Sequence, residues 1–127
     1  MTSTDAGDPF AGKSLTEWEL GLLWRFVSFD FQGVESLREQ ISATSVVARE
    51  SSPGFLYVSL EVERTSKASD VAKRVPIELT GTDRSEAPML FMLFVDEGYL
   101  AAIEGFRGDS QVIQELPDPT SLVPANL

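Results

Sequence analysis

Cysteine and histidine are both missing from this chain of 127 residues. Without thiols there is no disulfide, no thiolate metal site and no cysteine nucleophile. Without imidazole, the usual general base near neutral pH and the usual zinc ligand are gone, which removes Ser-His-Asp and Cys-His hydrolases and nearly all zinc enzymes. Carboxylates, Lys, Tyr, Ser and Thr are what remains for chemistry. Ser66-Lys67 and Lys13-Ser14 lack the one-turn helical spacing that would make lysine the base for a serine. The expectation is a non-enzymatic protein with no catalytic residue, no metal site and no cofactor.

Long apolar runs and positive charge are also scarce. The longest unbroken apolar run is Met89 to Val95, far short of the ~20 residues that span a bilayer. The N-terminal stretch carries Asp5 and Asp8 where a secretory signal would carry Lys or Arg. No export and a cytoplasmic location are expected. Ten Lys and Arg face 20 Asp and Glu, for a net charge of −10, and the cations are scattered along the chain. Nucleic acid and anionic membranes are therefore disfavoured as partners, whereas a basic protein partner is allowed.

What is present is an ordinary globular composition, 43% hydrophobic and 24% charged, enough for one core in one domain. Residues 1–12, with Gly7, Pro9, Gly12 and the lone large side chain Phe10, have the composition of a disordered tail. Residues 13–120 form the domain and 121–127 a C-terminal tail. Ser14-Leu15-Thr16-Glu17 has the pattern of a capping box. It opens a helix from about Leu15 to Val27, whose apolar stripe is Leu15, Trp18, Leu22, Leu23, Phe26 and Val27. Leu20 and Trp24 fall off that stripe. Asp30 can cap a second helix carrying Val34, Leu37 and Ile41, ending near Ala43.

Strand signals fill the rest. Thr44 to Glu50 and Phe55 to Arg64 flank a Ser51-Ser52-Pro53-Gly54 turn, and Leu56, Val58, Leu60 and Val62 alternate with polar or aromatic residues. Val75, Ile77 and Leu79 alternate after a polar loop, with Pro76 placing that strand at an edge or at its own start. Met89 to Val95 is apolar on both faces, as suits a central strand. Asp96-Glu97-Gly98 turns it into a strand from Tyr99 to Arg107. A last short strand is expected in Gln111 to Leu116. The fold class is α+β: an N-terminal helix pair packed on an antiparallel sheet of about five strands.

Val95, Asp96, Gly98, Leu100, Glu104, Arg107, Asp109, Ile113 and Leu116-Pro117-Asp118-Pro119 follow one another at fixed intervals. In these residues the chain resembles a family of small uncharacterised bacterial proteins with a Gly-x-Leu, Glu-x-x-Arg and Leu-Pro-Asp-Pro C-terminal half. The likeness extends weakly to Leu15–Glu19 and to Leu37–Gln40. It implies no known activity, although some similar small acidic proteins act as immunity partners of secreted toxins.

Four residues stand out as candidates for binding. Glu104 shares a strand face with Leu100, Ala102 and Phe106, where a carboxylate must reach solvent or find a partner. The structural expectation is an ion pair with some arginine. Arg107, three residues on, falls on the opposite face of a regular strand, so it meets Glu104 only through a bulge. Trp24 and Phe31, with Phe29, could form an exposed aromatic patch of the kind enriched at interfaces, against the plainer alternative of core packing. Glu61 and Glu63, with Glu50 or Glu78 across the sheet, would supply a carboxylate pair for hydrolysis or divalent metal, against the plainer alternative of a solvated face. These features favour a non-enzymatic interaction protein, an acidic inhibitor or immunity-type partner of a basic protein. The alternatives are a small-ligand-binding domain or weak carboxylate-based hydrolase, with Glu104 as acid, and self-association as a homodimer.

Overall fold

The computed structural model describes residues 13–125, and the tail expected at 1–12 lies outside the described residues. Helix α1 spans Glu17–Phe26 and helix α2 Val34–Gln40, followed by a 3₁₀ turn at Ile41–Ala43. Strands β1 (Thr44–Ser52), β2 (Phe55–Val62), β3 (Ile77–Thr82), β4 (Pro88–Asp96), β5 (Tyr99–Arg107) and β6 (Val123–Pro124) complete the fold. They form one antiparallel sheet in the order β1-β2-β5-β4-β3-β6. The class is the expected α+β, with six strands instead of five, and the doubly apolar β4 lies in the middle as its composition requires.

The capping box sits two residues later than its sequence signature suggests. Thr16, not Ser14, caps α1: its hydroxyl accepts from the Glu19 N–H at 3.1 Å and its own N–H donates to Glu19 Oε1 at 2.8 Å. The reason lies on β1. Arg49 holds both oxygens of the buried Glu19, Nε to Oε2 at 2.7 Å and Nη2 to Oε1 at 2.7 Å, which fixes Glu19 as the reciprocal member. Burial alone would raise the Glu19 pKa, but the Arg49 and Thr16 hydrogen bonds bring it below its ordinary value.

Helix α2 likewise starts at Gly33 instead of Asp30. Gly33 has φ +87°, and the Ser69 hydroxyl and Val71 backbone occupy the space a Cβ would need. At the other end the buried Gln40 has its amide fully used. Its Nε2 donates to the carbonyls of Lys67 and Gly98, and its Oε1 accepts the Leu100 N–H at 2.9 Å. The polar loop 65–73 and the β4–β5 turn are tied to α2 through this one side chain.

Both helices lie on the same sheet face, α1 against β3 and α2 against β5. The core between them contains Leu22, Leu23, Phe26 and Leu37 from the helices and Ile77, Phe91, Leu93 and Ile103 from the strands. Each such side chain contributes roughly 1.5–3 kcal/mol on burial. Leu20 and Trp24, off the apolar stripe, are 39% and 48% exposed.

The chain after Arg107 departs most from expectation. Residues 111–116 form no strand, because their polar groups serve side chains instead of a neighbouring strand: Val112 O accepts from Arg107 at 2.6 Å and Gln114 N–H donates to Asp83 at 3.1 Å. The sixth strand is Val123–Pro124, paired with β3. Leu122, placed by sequence in a tail, is fully buried in the core and lies over Gly81. Helix α1 holds this segment in place. Arg25 donates twice to Leu122 O, at 2.9 and 2.7 Å, and the Trp18 indole donates to Pro117 O at 2.8 Å. No helix among the described residues is long and apolar enough to cross a membrane.

Candidate functional site

With both helices on one side, the other sheet face carries side chains that the fold leaves half-buried. Directly paired residues in an antiparallel sheet point to the same face, so the register fixes what this outer face presents. One cross-strand row runs Glu50, Tyr57, Glu104, Met92, Glu78 from β1 to β3. The next row runs Ser52, Phe55, Phe106, Leu90, Thr80. On the other side lie Ala48, Ser59, Ala102 and Phe94. Phe55 and Phe106 pack tilted, with ring centroids 5.4 Å apart. An apolar band is thus crossed by a row of glutamates, with Arg74 set 6.0 Å over Phe94 at one end.

Glu104 occupies the centre of that face. Between Phe94 and Val95 the β4–β5 register shifts, which leaves Ala101 unmatched and turns Leu100 to the helix side. Leu100 therefore does not share a face with Glu104, as unbroken alternation would have it. Ala102, Glu104 and Phe106 do share one. The expected ion pair is absent as well: Glu104 makes no hydrogen bond or ion pair among the described residues. The arginines have other partners. Its row neighbours Tyr57 and Met92 offer apolar flanks to a half-buried carboxylate.

Arg107 lies on the opposite face, in register with Met89, and is structural. Its Nη1 reaches Asp83 Oδ2 at 3.0 Å and Val112 O at 2.6 Å, and its Nη2 reaches Asp109 Oδ2 at 3.2 Å. Nε lies 2.8 Å from Asp109 Oδ1 but off the line of a hydrogen bond. Asp83, whose side chain has no exposed surface, accepts in addition from the Ser85 N–H and hydroxyl and from the Ala87 and Gln114 N–H groups. Burial opposes its charge, yet the hydrogen bonds from Ser85, Gln114 and Ala87 prevail and lower its pKa to about 2.

Trp24 is exposed on α1, but it does not share a patch with its expected companions, since Phe29 and Phe31 pack against the core. Phe31 instead lines a depression of about 370 Å³ beside α2, where Asp30, Glu35 and Asp70 alternate with Arg38 and Lys67. Glu61 and Glu63 stand exposed at the far end of β2. Across the sheet Glu61 faces Ser45 and Glu50 faces Tyr57, while Glu78 lies on β3, three strands from β2, so neither Glu50 nor Glu78 stands opposite Glu61 and Glu63. Among the described residues no three Asp or Glu side chains are placed to hold a metal ion.

The sequence reading missed the cleft that borders the outer face. The β1–β2 turn and the irregular 112–116 segment enclose about 520 Å³, lined by Phe55, Leu56, Val112, Ile113 and Leu116. Val112 is 58% exposed at its rim. Phe55 belongs to both the cleft and the aromatic pair, so the apolar band continues into the cleft. Phe55 and Tyr57 were legible as outer-face residues from the β2 alternation. The cleft was not, because it depends on 111–116 failing to form a strand. No family model matches the chain, and neither curated proteins nor solved structures give a match.

Proposed function

We propose that this chain is a non-enzymatic binding protein whose partner is a basic protein, in the manner of an acidic inhibitor or immunity protein acting in the cytoplasm. The observation that carries this reading is the outer sheet face, where half-exposed Phe, Tyr, Met and Leu side chains are crossed by a row that carries Glu50, Glu104 and Glu78. A solvated face has no use for the aromatic residues, and a face meant for self-association has no use for the glutamates. Apolar area with a single sign of charge supports a partner of the opposite charge. The net charge of −10 would steer that partner in from a distance.

The proteins encoded beside its gene supply the test. Each is titrated into the purified chain by calorimetry at about 50 mM and about 300 mM salt, over which the Debye length falls from roughly 14 Å to roughly 6 Å. A basic neighbour should bind, with affinity falling at least tenfold at the higher salt. Binding that ignores salt, or no binding by any neighbour, counts against the reading. The apolar cleft favours a second reading, a small apolar ligand, which the same calorimeter would reveal as a salt-independent heat with hydrophobic metabolites.

A further inference from the structure

We infer that the partner docks through an arginine: its guanidinium pairs with Glu104 and lies on Tyr57, while a large apolar side chain beside it fills the cleft between the β1–β2 turn and residues 112–116. This inference rests on the reading of the chain as a binding protein for a basic partner and assigns the site.

The alternatives for covering this face are excluded by charge. A second copy placed face to face would bring the Glu50 and Glu104 rows together, and like charges across an interface are strongly unfavourable. An anionic membrane is repelled for the same reason. A cationic partner is attracted, and the face has apolar surface for it to desolvate.

Arginine fits better than lysine. Glu104 has both oxygens unengaged by hydrogen bonds among the described residues, so it can accept a bidentate fork. The aromatic ring next to it in the row, Tyr57, gives the planar guanidinium a surface to stack on, which an ammonium uses less well. The same chain already packs arginine on aromatics, Arg64 over Tyr99 at 4.0 Å and Arg25 over Phe29 at 4.7 Å. The cleft lies on the Phe55 side of this position, so a residue a few ångströms from the arginine in the partner can reach it.

The test uses three capped seven-residue peptides that alternate Arg with Leu, Lys with Leu, or Glu with Leu, titrated into the isotopically labelled full chain. The Arg peptide should shift the backbone amides of Tyr57, Glu104, Phe106 and Val112, and bind at least threefold tighter than the Lys peptide. The Glu peptide should leave the spectrum unchanged. Glu104→Gln should weaken the Arg peptide about tenfold, the loss of one charge-assisted pair. Val112→Ser, which removes apolar area at an exposed rim position without adding charge, should weaken it several-fold, and Glu35→Gln on α2 should leave it as it was. Shifts centred on Leu20 and Trp24, equal affinity for Glu104→Gln, or no binding of the Arg peptide would overturn the assignment. A basic neighbour protein that bound Glu104→Gln as well as wild type would remove this site and leave the interaction reading standing.

Discussion

Asp83 shows how a single residue can define the end of a sheet. Its carboxylate accepts five hydrogen bonds, from Ser85 twice, Ala87, Gln114 and Arg107, and so joins the β3–β4 turn, the end of β5 and the 108–116 segment. Because its folded pKa is depressed from 3.8 to about 2, folding favours the ionised form. The stability this contributes is complete above pH 3.8 and is lost as pH falls through about 2. Denaturant titrations at steps of pH should show wild type losing stability across that interval. Asp83→Asn, which turns one acceptor into a donor facing N–H groups, should be less stable at pH 7 and should lose less over the same interval. A wild-type profile flat from pH 4 to 2, or a variant as stable as wild type at pH 7, would contradict this account.

Gly98, like Gly33, is a position that only glycine takes without strain. It has φ +87°, and a Cβ would come within 2.6 Å of the Ser69 carbonyl oxygen. Gly98→Ala should cost more than ~1 kcal/mol, since the left-handed conformation and the contact oppose it together. Equilibrium unfolding checks the value, and a cost within error of zero would mean that the loop 65–73 moves aside freely.

At the scale of elements, the most consequential assignment is the segment after Pro117. Residues 121–127 have the composition of a tail, yet Leu122 is fully buried and Val123–Pro124 extends the sheet. Leu122→Ala should cost ~2–5 kcal/mol, the range for a buried leucine, where a tail residue would cost nothing measurable. Thr16→Ala should cost about 1 kcal/mol, as an N-cap does, and Ser14→Ala almost nothing. These three variants separate the observed boundaries from the ones the sequence suggests.

These boundaries also mark where the sequence is legible. Strands β2, β4 and β5 and the stripe of α1 are written in local periodicity, because each must present apolar groups to one core at steps of two or of three and four. Caps and termini depend on distant partners. Glu19 becomes the capping residue through Arg49, thirty positions on, and Leu122 is drawn in by Arg25 and by the gap above Gly81. Residues 111–116 have the β-branched composition of a strand but are captured by Asp83 and Arg107. Of the four binding candidates, the side of the sheet taken by Glu104 and Arg107 follows from alternation. That Arg107 is held by Asp83, Asp109 and Val112 while Glu104 has no such partner among the described residues could be seen only once those residues had been placed.

For the whole molecule, the proposed function divides the labour of the two sheet faces between stability and recognition. The helix-covered face holds the buried core, and the outer face holds side chains whose contacts are half made. If that division is right, the glutamate row can be inverted without harm to the fold. Replacing Glu50 and Glu104 by Lys together moves the net charge by four, from −10 to −6. Self-repulsion in a strongly acidic chain falls with that change, and exposed or half-exposed positions without partners tolerate substitution within about 0.5 kcal/mol. The double variant should therefore melt at or slightly above the wild-type temperature, while its affinity for a basic partner collapses and its affinity for an acidic peptide appears. Differential scanning calorimetry and titration on the same preparation measure both. A large drop in melting temperature would show that the row stabilises the sheet itself, and the outer face would then be part of the scaffold instead of the surface it offers to a partner.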